Sequence, residues 1–397
     1  MDECKIQKQL SSNIWKFYLY QACSGMYFSV PIMVLFWQDN GLSLTKIMIL
    51  QSIFSVATVI LEIPSGYFSD VHGRKFTLLI ASVAAFLGIC AYSIAESFEH
   101  FLCIELLFAL SVSFSSGTTS AFVFDTLLNL KIEEQFKEIW GNAIFYKLLA
   151  LALANILGGV IATYDLRYSI YASIPFFAAM VPLVLSMREP KRDSLIVKQH
   201  YLKEIIHVLN VSLMQNRKLR WLIIYSGIVY AFNQSVLWLY QPYFKLSGLD
   251  IIYFGVVFAS FQLVAAFSSK FAFKIEAIIG EKKSLAILIL LVAISYCLMG
   301  YFIFLFGFIF CFIQQFVRGF RKAVVSDYLN KLVDSDMRAT VLSSENFVGS
   351  LLYAIIIPIF GWISDIYSLQ QALVIMGIIT FVVGSFALVC LKKNKLI

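Results

Sequence analysis

Apolar runs of about twenty residues recur along this 397-residue chain. Each is long enough to cross a bilayer core of about 30 Å as a helix. No other feature restricts the fold as much. Backbone amides in hydrocarbon must be satisfied within the protein, and the runs are far too long for barrel strands, so helices remain. Composition agrees: 60% of residues are hydrophobic and 14% charged, where soluble domains carry about 25% charge. The reading is an all-α membrane protein. Twelve transmembrane helices are expected near 13–38, 44–69, 75–96, 99–128, 138–163, 166–187, 219–245, 250–274, 283–299, 301–328, 338–364 and 368–391.

Charge sets the orientation. With the N-terminus in the cytoplasm, about 27 of the basic residues fall on the inner side. Only Lys46, Arg167 and Lys245 lie in outer loops, and Lys147 lies within a span. Both termini are therefore expected inside. Topology then explains the net charge of +7: the partner of the basic loops is membrane lipid, and no nucleic acid is needed. The polar opening "MDECKIQKQLSSNIWK" does not have the form of a cleaved leader. Seven cysteines stand singly and four histidines fall in loops, so no metal site and no cofactor is expected. No nucleotide-binding loop or nucleophile motif is present, which argues against an enzyme.

One long polar segment, 188–218, divides the chain into bundles at 1–187 and 219–397. Within it, "LIVKQHYLKEIIHVLNVSL" has apolar residues at helical spacing, which fits either an amphipathic helix on the inner membrane surface or a plain linker. The bundles repeat. "SGTTSAFVFDTLLN" from Ser116 matches "RGFRKAVVSDYLN" from Arg318, so that Gly117 meets Gly319 and Asp125 meets Asp327, each 202 positions on. Earlier in each half the shift is 207, carrying Gly41 onto Gly248 and Gly73 onto Gly280. Two similar six-helix bundles can rock about a central site and open alternately to each face.

The loop after the second run reads "EIPSGYFSDVHGRK", Glu62 to Lys75. Gly66 permits close helix approach, Gly73 permits a tight turn, and Asp70 can accept from amides opening the third span. Arg74 and Lys75 face lipid headgroups or acids on neighbouring helices. "GYFSDVHGRK" resembles the loop signature of the major facilitator superfamily. With "EIPSG", "SGTTSAFVFDTL", "RATVLSSENF" and "GWISD", the chain resembles a bacterial, drug-exporter-like branch of that superfamily. The resemblance implies alternating access, with Asp70 part of a cytoplasmic latch near span eleven whose partner is Arg338 or, equally, Arg74. Some positions depart from the pattern. Val71 stands where many members have Arg, Ser113 where span four often carries a basic residue, and "ANILGG" lacks the proline of the exporter signature.

Ionisable groups at membrane depth are candidates for function. Glu62 and Glu345 each lie roughly 10 Å from the cytoplasmic end of their helix. The resemblance implies that spans two and eleven pack together, which would make the two acids a proton-coupling pair; the alternative is that each bonds to backbone or serine at a helix interface. Lys147 could balance an acid, contact an anionic substrate group or reach the inner interface. Glu105 is the candidate for a cationic substrate. Asp125 and Asp327 read as gate or helix-end residues. In the family fold the cavity is lined by spans one, four, seven and ten. Those spans offer Gln21, Ser24, Tyr27 and Phe28, then Tyr230, Asn233, Gln234, Trp238 and Gln241, then Gln314 and Gln315. Aromatic walls with scattered amides suit an amphipathic or weakly cationic molecule. The expected activity is proton-coupled export of a small amphipathic compound by a monomer in the bacterial inner membrane. The alternatives are a proton-driven importer and a lipid flippase.

Overall fold

The computed structural model describes residues 3–191, 216–334 and 337–393, in which every regular element is a helix. Span one comprises Glu3–Gly25 and Met33–Asp39, and span two is Leu44–His72. Span three is Arg74–Tyr92, span four is Phe98–Ser115 with Thr118–Leu130, span five is Phe136–Ala162, and span six is Leu166–Ser186. Span seven comprises Arg217–Ser235 and Tyr240–Leu246, and span eight is Ile251–Ile279. Spans nine to twelve are Glu281–Tyr301, Ile309–Lys331, Arg338–Ile366 and Leu369–Lys393. Eleven of these spans are long and apolar enough to cross a membrane. Span ten has the length, 23 residues, but carries Arg318, Arg321, Lys322 and Asp327. The amphipathic stretch expected in the 188–218 segment lies outside the described residues from 192 to 215.

Span ten starts at Ile309 rather than near 301. The connection 302–308 is itself rich in phenylalanine, so hydropathy has no minimum at the turn. The turn is made by Phe302 N–H donating to the Leu298 carbonyl at 2.9 Å and Gly307 N–H to the Phe304 carbonyl at 2.8 Å. Caps open several helices as the sequence dictates. Ser97 accepts from His100 N–H, Asp165 from Arg167 N–H at 2.7 Å, and Asn216 from Lys218 and Leu219 N–H, each at 3.1 Å.

The internal repeat is visible in the backbone. Gly41 and Gly248 have φ of +80° and +77°, and Gly73 and Gly280 have +107° and +80°. Both pairs close the turns that the 207-residue shift matches, in a region that side chains rarely adopt. Spans one and seven are both interrupted by a short 3-10 turn, Val30–Ile32 and Val236–Leu239. Continuous helices were expected at both places. The break in span one is tolerated because its amides find partners: Phe28 N–H donates to Ser173 Oγ at 3.0 Å and Tyr27 N–H to the Gly25 carbonyl at 2.8 Å. The repeat is not exact. Gly117 has φ of +50° and splits span four. Its match Gly319 lies in an unbroken span ten, where it packs against the Ala265 carbonyl of span eight.

The described residues form two compact units. One draws on 1–36, 57–199 and 251–259, the other on 37–56, 200–250 and 260–397. In the first, Gly255 of span eight lies against the Asn155 carbonyl of span five, and Gly25 against the Lys147 carbonyl. Such approaches are open only to glycine. In the second, Leu44 and Thr45 N–H donate to the Asp365 carboxylate at 3.1 and 2.8 Å. Asp365 thus places its charge at the N-terminus of span two, where the helix dipole favours an anion.

Candidate functional site

In the first unit, charges gather where spans two and three meet. Span two stays helical through His72, so Asp70 lies on the helix surface one turn before Arg74. The Arg74 guanidinium donates to Asp70 at 2.7 Å, Asp125 at 3.3 Å and Ser69 Oγ at 3.0 Å. Arg74 therefore ties the end of span two to span four. The amides opening span three go to a residue the sequence reading passed over. Glu189 accepts from Arg74 N–H at 2.8 Å and Lys75 N–H at 2.7 Å, beside the Cα of Gly73. Lys75 Nζ reaches the Leu185 carbonyl at 2.8 Å. The acid in "REPK" just after span six was the available signal. Glu189→Ala is expected to cost about 1–2 kcal/mol, as a lost cap does. A lower Tm of the detergent-solubilised chain would show it, with Glu189→Asp recovering part.

Gly66 is half-buried within span two, and Arg338 is exposed in the first turn of span eleven. Asp327, the repeat partner of Asp125, pairs instead with Lys331 on its own helix at 2.6 Å, and both are exposed. Among the described residues of the second unit there is no equivalent of the Arg74 clamp, because Glu281 stands where the repeat would place Arg74.

Glu62 is exposed and accepts from Ser116 Oγ at 3.3 Å, at the break in span four. Glu105 is buried and accepts from Tyr92 Oη at 2.5 Å, with the Tyr27 ring stacked on Phe108 at 5.9 Å. Gln21 is buried on span one. Lys147 lies midway along span five, exposed, with no hydrogen-bond or ion-pair partner among the described residues.

In the second unit, polar side chains line the face of span ten that meets span seven. Gln314 is buried; its side-chain and backbone oxygens accept from Asn233 at 2.7 and 2.9 Å, and its amide donates to the Val292 carbonyl at 3.2 Å. Gln315 donates to Tyr240 Oη at 3.1 Å. Trp238 Nε1 donates to Tyr353 Oη at 2.8 Å, while Gln241 is buried. Tyr230 and Gln234 are half-buried. Gln314 and Asn233 thus fix spans seven, nine and ten together.

About two turns further along span ten is a largely buried ion pair. Arg321 Nη1 lies 2.5 Å from Glu345 Oε1 of span eleven, and their side chains are 11% and 10% exposed. Ser226 Oγ of span seven donates to the same carboxylate oxygen at 2.6 Å and accepts from Arg321 at 2.8 Å. The guanidinium lies 5.1 Å from the centre of the Tyr230 ring. Spans seven, ten and eleven therefore meet at one carboxylate oxygen. Glu345 was singled out from the sequence with Glu62 as its companion; in the structure Arg321 holds Glu345 and Ser116 holds Glu62. Arg321 was legible, since it lies inside the expected 301–328 span, but the repeat alignment "RGFRKAVV" drew notice to Gly319 and Asp327 instead.

Residues 17–351 and 223–395 match the family profile of the Major Facilitator Superfamily. An uncharacterised MFS-type transporter of Bacillus subtilis, YxaM, is 23% identical over 386 residues, covering 91% of this chain and 92% of its own length. Among solved structures, the nucleoside transporter NupG in its D323A form superposes with a TM-score of 0.81 at 14% identity, covering 96% of this chain and 99% of its own. A D-xylose-proton symporter superposes at 0.66 and 15% identity, covering 96% and 97%. The fold, the repeat and the profile agree: this chain is a multi-pass membrane transporter belonging to the major facilitator superfamily.

Proposed function

We propose that the chain is a proton-coupled secondary transporter of a small organic solute, with Glu345 as the group that takes the proton. The observation that carries this is the Ser226–Arg321–Glu345 network at membrane depth. A buried acid is stabilised in its charged form by a neighbouring guanidinium and destabilised when that guanidinium leaves. Its partners are the Arg321 guanidinium and the Ser226 hydroxyl, and the Tyr230 ring lies against that guanidinium. A solute that draws Arg321 away leaves the buried Glu345 carboxylate without its counter-charge, which a proton can replace, so solute and proton bind together. That is the logic of symport, and alternating access of the two repeats would carry both across. The amides and aromatic rings of span seven would supply the rest of the solute contact.

Export by proton antiport is the second reading. It rests on the exporter-like motifs around "EIPSG" and "SGTTSAFVFDTL". It needs solute and proton to compete for one acid, and Glu62, exposed with a serine partner, is the group suited to that. Both readings place the termini in the cytoplasm, on the lysine and arginine distribution. Uptake by right-side-out and everted vesicles under an imposed pH gradient separates them. Accumulation in right-side-out vesicles driven by outside acid supports symport. Accumulation in everted vesicles driven by an acid lumen supports export. Facilitated movement indifferent to the gradient would remove proton coupling from both.

A further inference from the structure

We propose that the solute is an organic anion and that Arg318 is the residue that holds its negative group. This deepens the reading above and rests on it. Span ten carries two arginines, Arg318 and Arg321, three residues apart and so on one face. Counting along the helix from Ile309 to Lys331, Arg318 lies about 13 Å from one end and about 20 Å from the other. That is further than its side chain extends, so it cannot reach a headgroup from either end. A guanidinium at this depth is costly and requires an anion or a wet, polar surface. Arg321 has its anion in Glu345. Arg318 has no ion pair or hydrogen bond from its side chain among the described residues, and it is exposed. Its place on the helix is the face turned to span seven, since Gln314, Gln315 and Arg321 beside it on that face all bond to that span.

The face thus presents two positive groups and one carboxylate, leaving one guanidinium for a ligand beside the pair that is proposed to take the proton. Carboxylates and phosphates match the guanidinium fork with two parallel hydrogen bonds. A bound anion also competes with Glu345 for Arg321, which links binding to protonation.

The test is ligand binding to the purified full chain in detergent at fixed pH, read by scanning fluorimetry and microscale thermophoresis. The probes are benzoate, 4-aminobenzoate, indole-3-acetate and uridine 5'-monophosphate. Their neutral counterparts benzamide, indole-3-acetamide and uridine, and the cation tetraphenylphosphonium, serve as comparisons. The expected result is that at least one anion binds at least ten-fold tighter than its neutral counterpart. Arg318→Gln should then weaken that anion at least ten-fold, and Arg318→Lys less. The carboxylate and phosphate probes separate the two anion types. The proposal is overturned if no anion binds, if a neutral counterpart or the cation binds as well, or if the anion's affinity survives Arg318→Gln. Should Arg318→Gln fail to fold, the wild-type comparison of anion and neutral probe decides the sign of the solute, and unchanged anion affinity in Arg318→Lys, which lacks the two-bond fork, would overturn the assignment to Arg318. Because no gradient is used, failure of proton coupling leaves this result untouched. Gradient-driven transport of a neutral or cationic probe would sink the anion assignment alone.

Discussion

Glu345→Gln is expected to abolish accumulation driven by a pH gradient, by ten-fold or more, while exchange of solute across the membrane without a gradient continues. Glutamine keeps the size of the side chain and an acceptor for Ser226, but it resembles only the protonated acid. The variant would be held in the state that binds solute, and the proton step would be missing. Counterflow in proteoliposomes checks this, since it needs binding and reorientation but no net proton movement. The stability consequences are distinct. Arg321→Gln leaves a carboxylate buried among Ser226 and Tyr230 without its counter-charge. Breaking one side of such a pair costs about 3–5 kcal/mol. Arg321→Gln with Glu345→Gln is expected to be more stable than Arg321→Gln alone, read as Tm or folded yield. Additive losses would mean that the pair is not coupled.

Gly158→Ala is expected to cost the folded state more than any exposed substitution in the same helix. A Cβ at Gly158 would fall well inside contact distance of the Phe28 carbonyl. That carbonyl belongs to the break in span one and cannot rotate away as a side chain would. The surroundings are equally fixed, with Ser169 Oγ donating to the Gly158 carbonyl at 3.1 Å and Ser173 Oγ accepting from Phe28 N–H at 3.0 Å. Overpacking against soft neighbours costs about 1–3 kcal/mol, and here the backbone itself must move. Gly141, also in span five, is the control: a Cβ there meets nothing within 4 Å. Gly141→Ala should be neutral or gain up to about 1 kcal/mol from helix propensity. Monodisperse elution of the purified chain separates the cases: Gly141→Ala should elute as wild type and Gly158→Ala should not. Equal behaviour of the two would show that the span-one break is not held by this contact.

What the sequence made legible were features carried by local pattern. Helix positions followed from apolar run length, and the repeat followed from paired motifs, which the backbone repeats in the positive φ of Gly41 with Gly248 and Gly73 with Gly280. Long-range partners were not legible. Tyr27 and Phe28 fit a helical spacing, yet span one breaks there because Ser173 of span six supplies the missing acceptor. Glu105 looked available for a cation, while its structural partner is Tyr92 on the adjacent span. Glu345 was visible as an acid in an apolar run, but nothing local to it indicates Arg321 and Ser226. Span ten was legible as a run near 301–328, but its charges, Arg318 and Arg321 among them, gave no local sign of which would find a partner across the bundle.

The most direct test of the account is whether solute and proton enter together. Wild-type and Glu345→Gln chains would be reconstituted in liposomes loaded with pyranine, a pH-reporting dye, with empty liposomes as the baseline for passive leak. Uridine 5'-monophosphate and the other anionic probes would be added outside at equal pH, and the lumen pH followed alongside solute entry. The account predicts lumen acidification above baseline for the transported anion in wild type and none in Glu345→Gln. Solute entry with an alkaline shift, or with no shift, would contradict it.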